Sequence, residues 1–217
     1  MKILAIADIH GNFSHLEDIK DKAGEIDVVV ISGDITNFGP SSQVDNLKGI
    51  FDVPVFAVPG NCDKRDILEV LDNSEIVNLH KNTEKIGEFT FVGIGGSSPT
   101  PFNTPFELEE QEIEDALEPM FNACEGDCKD CKSTIVLVSH APPKGLLDSI
   151  SGDNVGSVSV AKFIDRSKLV ICAHIHEARG FARSGDTFLV NPGMAAEGYA
   201  ALIELEQDNV SVSFIEA

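Results

Sequence analysis

Residues 1–12, MKILAIADIHGN, place an apolar run directly before an aspartate, a histidine and a glycine. The segment Lys2–Ala7 alternates little between apolar and polar residues, which is typical of a strand that is buried on both faces. Asp8 and His10 stand where this predicted strand ends, and Gly11 allows the chain to turn sharply there. The same arrangement, an apolar strand followed at once by polar residues and a turn, recurs further along the chain.

Four more predicted strands lead directly into a carboxylate, an amide or an imidazole. In open α/β sheets the carboxyl ends of the strands line the ligand crevice, so we expect these side chains to converge on one rim. The strands are Asp27–Ile31, Val53–Val58, Ser133–Ser139 and Leu169–Ala173, and the residues that follow them are Asp34, Asn61, His140, and the pair His174 and His176.

Predicted helices alternate with these strands. Ser14 and Glu17 form a capping box that predicts a helix start, and Gly24 predicts its end. The alternation indicates an α/β domain built in layers with a partly parallel sheet. Because the chain contains no repeat or linker, we expect residues 1–217 to form a single domain. The other predicted helices are 66–72, Glu107–Met120 and Ser157–Asp165, and the other predicted strands are Glu88–Ile94, 186–191, 199–205 and 209–215.

Charge and cysteine content limit the partners and the compartment. The formal net charge is −20, from 16 basic and 36 acidic residues, and a field of that sign repels polyanions. We therefore expect no stable binding to a nucleic acid. Apolar runs such as Val28–Ile31 are far too short to span a bilayer, so we expect no membrane association. Five cysteines without a secretion signal favour a reducing cytoplasm over a disulfide framework.

The polar residues at the strand ends have the chemistry of metal ligands. Two carboxylates, four imidazoles and one amide suit divalent ions such as Mn²⁺, Fe²⁺ or Zn²⁺, with Mn²⁺ favoured and Ni²⁺ and Co²⁺ as further alternatives. A site for one ion needs about four protein ligands. Seven ligands instead predict two ions that share a bridging carboxylate, about 3.5–4 Å apart, as in enzymes that displace a phosphoryl group in line.

The order of these motifs resembles the calcineurin-like metallophosphoesterase family. That family carries D-x-H, G-D, G-N-H-[DE], H and G-H-x-H in this order. The chain has DIH at 8–10, GD at 33–34, GNCD at 60–63, a lone His140, and AHIH at 173–176. VNPG at 190–193 also resembles family members. Five ordered motifs at predicted strand ends form a specific pattern, unlike a lone glycine motif.

The resemblance implies a fold and a division of roles. The expected fold is a four-layer α-β-β-α sandwich, and a hydroxide between two metal ions is expected to attack phosphorus. The implied ligands of metal 1 are Asp8, His10 and His176, those of metal 2 are Asn61, His140 and His174, Asp34 bridges the two, and Asn61, Cys62 and Asp63 form the catalytic segment.

Cys62 departs from the family pattern, since it replaces the His of G-N-H-[DE]. In the family that His, oriented by the next acid, protonates the leaving group or steadies the transition state, whereas a thiol is a weak hydrogen-bond donor. Some small prokaryotic phosphodiesterases of the family carry the same G-N-C-D. Ala173 in place of Gly is a second, conservative change. The expected activity is therefore hydrolysis of small phosphodiesters in preference to poor-leaving-group monoesters.

Two other functions remain open on the sequence. A metal-binding or scaffold module of the same fold, such as the retromer subunit, would have little activity, but such relatives have lost ligands that this chain retains. A nuclease is disfavoured by the charge and by the lack of an added DNA-binding segment. The sequence does not define the physiological substrate, and an oligomer is compatible with it.

Several other residues have competing interpretations. The triplet Cys124, Cys128 and Cys131 has a spacing that can bind zinc or an iron–sulfur cluster, yet it offers only three ligands and is expected to be a surface loop. Cys172 is expected in the core, and His15 and His80 on the solvated surface.

The proline-rich loop 95–106 carries Phe102 and Phe106, which either plug the core or cover the metal cleft. Three arginines are candidates for attracting the phosphate group of a substrate, although surface arginines more commonly form ion pairs with acidic side chains. They are Arg65, Arg179 and Arg183.

Overall fold

The computed structural model describes residues 1–126 and 134–217. Strands and short helices alternate along most of this length. The helices are α1 (Leu16–Ala23), α2 (Ile67–Asp72), α3 (Glu110–Gly126) and α4 (Val158–Ala161). The strands are β1 (Lys2–Ile6), β2 (Val28–Ser32), β3 (Val55–Val58), β4 (Val77–Asn78), β5 (Asn82–Ile86), β6 (Phe89–Ile94), β7 (Ile135–Ser139), β8 (Ser149–Ile150), β9 (Asp153–Asn154), β10 (Leu169–Ile171), β11 (Gly180–Ser184), β12 (Thr187–Asn191), β13 (Tyr199–Leu205) and β14 (Val210–Glu216).

The strands form two mixed sheets and a small ribbon. The first sheet has the order β14-β13-β1-β2-β3-β4, in which β1 to β4 are parallel and β13 and β14 are antiparallel. The second has the order β11-β12-β10-β7-β6-β5, in which the four central strands are parallel and both edge strands antiparallel. The β8–β9 ribbon stands apart from both. Each sheet thus directs several carboxyl ends to one edge.

The core shows how the sheets and helices are layered. On β1, Ile3 packs with residues of the second sheet, whereas Leu4 faces Leu16 and Ile19 of α1. On the far side, Leu117 and its neighbours on α3 pack against the second sheet. Because both faces of the central strands are covered, their sequences are continuously apolar. The order helices, sheet, sheet, helices confirms the predicted four-layer α-β-β-α sandwich.

Two predicted helix starts are wrong. Ser14 does not cap α1, since its hydroxyl donates to Asn12 Oδ1 at 2.7 Å and the helix begins only at Leu16. The acidic helix begins at Glu110 and not at Glu107, because the Glu107 carboxylate accepts hydrogen bonds from residues of the preceding loop and so belongs to that loop. In both places a local side-chain contact holds the segment before the helix outside it.

The strands β5 and β11 and the β8–β9 ribbon were not predicted from the sequence. These elements are partly or wholly exposed, and their segments lack the continuous apolar run that marks the central strands. Within the two described ranges, no helix is long and apolar enough to cross a membrane.

Candidate metal centre

The carboxyl ends of β1, β2 and β3 in the first sheet face those of β7 and β10 in the second. This brings the seven predicted ligand residues into one connected group, which we divide into two halves. The outer half-site is Asp8, His10 and His176, and the inner half-site is Asn61, His140 and His174.

The outer half-site joins β1 to the loop after β10. His176 Nε2 lies 3.4 Å from His10 Nε2 and 3.5 Å from Asp8 Oδ1. One ligand atom from each of the three side chains falls within 4.8 Å of the others. The His176 side chain is 39% exposed and that of His10 18%, so this half-site is open to solvent.

The inner half-site lies deeper between the sheets. His140 is fully buried, and its Nδ1–H donates to the Ser32 carbonyl at 2.9 Å, which leaves the Nε2 lone pair facing the site. That Nε2 atom is 2.8 Å from Asn61 Oδ1, and the His140 and His174 ring centroids are 5.1 Å apart. With the proton on Nδ1, both of these atoms are acceptors, and a positive charge beside them would stabilise the arrangement.

Asp34 lies between the two half-sites. Its Oδ2 atom is 3.7 Å from His10 Nε2, and its Oδ1 atom is 3.6 Å from His140 Nε2. The backbone N–H of Cys62 donates to Oδ1 at 2.8 Å and fixes the carboxylate in this orientation. One oxygen is therefore presented to each half-site.

The Asp8 carboxylate shows that a cation fits this rim. It is fully buried, and within the described ranges neither of its oxygens has a hydrogen-bond partner of good geometry. A buried carboxylate without a well-formed hydrogen bond costs several kcal/mol, roughly, unless a positive charge compensates it. An Asp/His cluster of this composition could hold divalent metal ions.

The two rim carboxylates differ in acidity. Burial alone would raise the pKa of Asp8, but the attraction of His176 and of two neighbouring histidines outweighs it and lowers that pKa. Burial, followed by the negative charge of Asp8, raises the pKa of Asp34 to about 7. Asp8 thus stays ionised at neutral pH, whereas Asp34 takes up a proton near neutrality when no cation compensates its charge.

The histidines of the two half-sites also differ. Burial lowers the pKa of His140, and burial together with the neighbouring His140 lowers the pKa of His174 to about 3. In the outer half-site, Asp8 raises the pKa of His176. The inner imidazoles are therefore neutral at pH 7 and present free lone pairs, which a metal ligand requires.

Four of the seven predicted ligand residues have a left-handed backbone. The φ angles are 52° at Asp8, 47° at His10, 51° at Asp34 and 71° at His174. A non-glycine residue in this region costs on the order of 1–2 kcal/mol. Such strain is concentrated where the chain must aim side chains at a common point. No sequence pattern predicted these conformations.

Two motif glycines are explained by close approach between the strand ends. A Cβ atom at Gly33 would lie 2.3 Å from His140 Nδ1, and one at Gly60 would lie 2.0 Å from Asp34 Oδ1. At Gly33, the positive φ of +103° is a second reason for a glycine. Gly60 has no positive φ, so there the close approach is the reason. Any side chain at Gly60 would displace the Asp34 carboxylate.

Asp63 is a buried structural carboxylate. It accepts hydrogen bonds from the backbone N–H of Thr36 at 2.7 Å, of Gly60 at 2.8 Å and of Ile35 at 3.1 Å. Burial and the charge of Asp34 raise its pKa to about 6. These bonds clamp the segment after Asp34 to the segment that carries Asn61.

Cys62 is half-buried next to the outer half-site. Its Sγ atom, His10 and Asp34 offer ligand atoms that all lie within 4.8 Å of one another. Burial and the charge of Asp34 raise the pKa of the thiol well above its usual range, so it is protonated at neutral pH. The Asn61 amide is 3.8 Å from Sγ.

Asn191 is a site residue to which the sequence analysis assigned no role, although it lies in the VNPG motif. Its side-chain amide donates to the Ile175 carbonyl at 2.9 Å, and its Oδ1 accepts from the Gly193 N–H at 3.0 Å. Ile175 separates His174 from His176, so Asn191 holds the backbone that carries both histidines.

The remaining candidates lie outside the cluster. His80 was predicted on the solvated surface, and that is wrong: its Nδ1 accepts from the Gly95 N–H at 2.9 Å, its ring packs on Phe106, and burial lowers its pKa to about 4. His15 is half-buried, and Cys172 is a core residue as expected. Cys128 and Cys131 lie outside the described residues.

The loop phenylalanines have opposite fates. Phe106 is fully buried and Phe102 is 81% exposed. The three arginines are engaged elsewhere, and the expected surface ion pair is confirmed for two of them. Arg179 pairs with Glu216, Arg183 pairs with Asp186, and Arg65 donates to the Glu107 carbonyl and lies over the Phe106 ring.

Comparisons with known proteins identify the family. Residues 1–178 match the family model of the calcineurin-like phosphoesterases. The uncharacterized protein MJ1162 of Methanocaldococcus jannaschii is 40% identical over 203 residues, which cover 88% of each chain.

Two solved structures share the fold. The crystal structure of TT1561 from Thermus thermophilus has a TM-score of 0.75 and 21% identity, and the match covers 98% of this chain and 97% of that one. A structure described as a novel archaeal phosphodiesterase has a TM-score of 0.53 and 16% identity, and the match covers 99% of each chain. At these identities the structures support the fold alone. The family model and its ordered motifs establish that this chain belongs to the calcineurin-like phosphoesterase family and is a phosphoric ester hydrolase.

Proposed function

We propose that this protein is a phosphodiesterase that uses two divalent metal ions to hydrolyse small phosphodiesters. The observation that carries the proposal is the position of Asp34, which presents one carboxylate oxygen to each half-site. When bound, the two ions supply a hydroxide nucleophile and neutralise charge on the phosphoryl oxygens. Mn²⁺ is the favoured ion, with Fe²⁺, Zn²⁺, Ni²⁺ and Co²⁺ as alternatives.

The protein's own residues would prepare this site before any substrate arrives. Neutral His140 and His174 offer lone pairs, and the Ser32 carbonyl and Asn191 fix how the histidines are presented. The Asp63 clamp holds Asn61 and Asp34 in register. Ligand orientation of this kind typically affects metal affinity or activity by about 10–100-fold.

The charge near the rim favours diesters over monoesters. A monoester carries up to two negative charges at neutral pH and a diester only one. Arg65, Arg179 and Arg183 are all engaged in contacts with residues that are not predicted ligands. None of these three arginines is therefore free to neutralise the second negative charge of a monoester. Cys62, protonated and a weak donor, is also poorly suited to protonate a basic alkoxide.

The test is a metal and substrate panel. Protein stripped with a chelator would be reloaded with Mn²⁺, Ni²⁺, Co²⁺, Zn²⁺ or Mg²⁺ and assayed on bis(p-nitrophenyl) phosphate and on p-nitrophenyl phosphate. We expect two ions per chain by elemental analysis and faster diester than monoester hydrolysis. A chain that binds two ions but turns over neither ester would instead be a metal-binding module. Faster turnover of the monoester would contradict the diester preference.

A further inference from the structure

A cleft of about 560 Å³ opens beside His174. One wall is the proline-rich loop, with Pro99, Pro101 and Phe102. The other is the β8–β9 ribbon, with Ile150, together with Val155, which directly follows the ribbon. We call this feature the side cleft. Its volume is within the range of about 300–1,000 Å³ that is typical of small-molecule sites.

The side cleft collects apolar side chains that face solvent. Phe102 is 81% exposed, Val155 43% and Ile150 39%. Single exposed apolar residues are ordinary, but a group of them around one concave surface marks a binding site. Two neighbouring prolines add rigid apolar surface, and Ser98 and Thr100 add hydroxyl groups at the edge.

The side cleft is continuous with the metal centre. His174 and Ile175 line it, and the His174 ring is 5.1 Å from the ring of His140. A phosphoryl group held at the cluster would therefore have one of its ester groups next to the cleft. This continuity favours a part of the substrate as the occupant.

The walls are held in place by hydrogen bonds. The Phe106 N–H donates to the Asn61 carbonyl at 3.1 Å, which ties the loop to the metal centre. At the other wall, Asp148 Oδ2 accepts from Gly145 N–H and Gly156 N–H, each at 2.9 Å, and closes the segment that carries the ribbon. A cleft ordered before binding loses less entropy when a ligand enters.

The charge of the walls disfavours an anionic occupant. Among the described residues that line the side cleft, Asp153 is the charged one, and none is lysine or arginine. With a formal net charge of −20 behind it, this carboxylate repels a second phosphate or a carboxylate on the substrate. An uncharged group avoids that repulsion.

We propose that the side cleft binds one uncharged, apolar ester group of the substrate, with an aromatic ring as the best fit to Phe102 and the prolines. The inference rests on the proposed function and narrows the substrate class to diesters with one flat apolar group and no second anion. It assigns Phe102 and Val155 to specificity and not to bond cleavage.

The experiment compares two probes that differ only in the organic group. Binding of phenylphosphonate and methylphosphonate to the Mn²⁺-loaded protein would be measured by calorimetry and as competitive inhibition of diester hydrolysis. We expect the phenyl compound to bind at least about 10-fold more tightly, because burial of a ring of this size is worth at least that factor. 4-Carboxyphenylphosphonate should lose that advantage.

Variants then locate the effect. Phe102→Ser and Val155→Asp should each bring the phenyl-to-methyl ratio towards one, whereas Phe214→Ser, which changes an exposed phenylalanine on β14 that does not line the cleft, should keep it. Metal content and melting temperature would show that both cleft variants are folded. A ratio near one in the wild-type protein, or a ratio that neither variant changes, would overturn the inference while leaving the hydrolysis of diesters intact. Failure of the proposed function would appear separately, as the absence of diester hydrolysis.

Discussion

The two half-sites use similar donors in different surroundings. In the inner half-site, His140 is fully buried and neutral. In the outer half-site, the His176 side chain is 39% exposed, and its Nε2 atom lies 3.5 Å from the Asp8 carboxylate. Enclosed neutral donors hold an ion with little exchange, and an exposed set next to water admits both exchange and substrate. In the proposed two-ion site, the inner half would hold the more slowly exchanging ion and the outer half the more accessible one.

The largest effect is expected from the residue that joins the halves. Asp34→Asn removes the charge shared between them and should lower activity by more than about 100-fold, since even substitutions behind the ligands cost about 10–100-fold. At least one metal ion per chain should be lost, as measured by elemental analysis. Asp21→Asn, on the exposed surface of α1, is the matched control. Two retained ions and a normal rate would show that the halves are independent of Asp34.

Alanine substitutions of one histidine from each half compare them directly. In metal-free protein, His140→Ala leaves the Ser32 carbonyl without its donor in the core and should lower the free energy of unfolding by about 1–3 kcal/mol. His176→Ala, at an exposed position, should change it by less than about 0.5 kcal/mol.

Chemical denaturation in the presence of a chelator measures both changes. Equal losses would mean that the enclosure of the inner half contributes nothing to stability.

A substitution of Cys62 tests whether residue 62 acts on the leaving group of the substrate. Cys62→His supplies an imidazolium near the leaving oxygen and should accelerate hydrolysis of esters with basic leaving groups by about 10-fold or more, with little change for activated aryl esters. The gain should fall above the histidine pKa, as the acid form is lost. Rates plotted against leaving-group pKa for both proteins give the answer. Parallel lines would remove residue 62 from the reaction.

The pH dependence of metal-free protein tests the shared carboxylate. Asp34 has a pKa of about 7 in the folded chain against an ordinary value of 3.8, so between these values the folded chain keeps a proton that the unfolded chain has released. Raising the pH through this window therefore favours unfolding, by at most about 1.4 kcal/mol per pH unit.

Asp34→Asn should remove this slope. The measurement is the difference in unfolding free energy between wild type and variant from pH 4 to pH 8. The difference removes the contributions of His140 and His174, whose lowered pKa values act in the opposite direction, and includes the part of the raised pKa of Asp63 that is due to Asp34. A flat difference would show that burial does not raise the pKa of this carboxylate.

The strand ends could be predicted because their residues obey two independent regularities. A continuous apolar run such as Val28–Ile31 predicts a central strand, and parallel strands bring their carboxyl ends to one edge. Asp34 and His140 were therefore expected to meet although they lie far apart in sequence, and in the structure their side chains are 3.6 Å apart.

Other features depend on tertiary contacts, which produce no periodic pattern in the sequence. The left-handed backbone at Asp8 and His174 is one that Asp and His adopt more readily than most residues, yet the sequence pattern does not mark which of them adopt it. His80 was misplaced because only the fold shows that Gly95 and Phe106 cover it. The proline-rich loop was one expected cover of the metal cleft, but the second wall of the side cleft was not predicted, because it is a ribbon of two-residue strands.

The contact between Gly33, Gly60 and the side chains they touch has a consequence for how this protein can evolve. The distance between the strand ends at the rim is set there by backbone atoms, since a Cβ atom at Gly33 would also lie 2.8 Å from the Gly60 Cα. A larger residue at either position would push the two strand ends apart. A smaller neighbouring side chain could not relieve this clash, because the clash is with backbone atoms. A substitution at Gly33 or Gly60 therefore cannot be compensated by a second substitution nearby. The loops and the ribbon that form the side cleft are not constrained in this way, so their sequences can diversify and change which substrates fit.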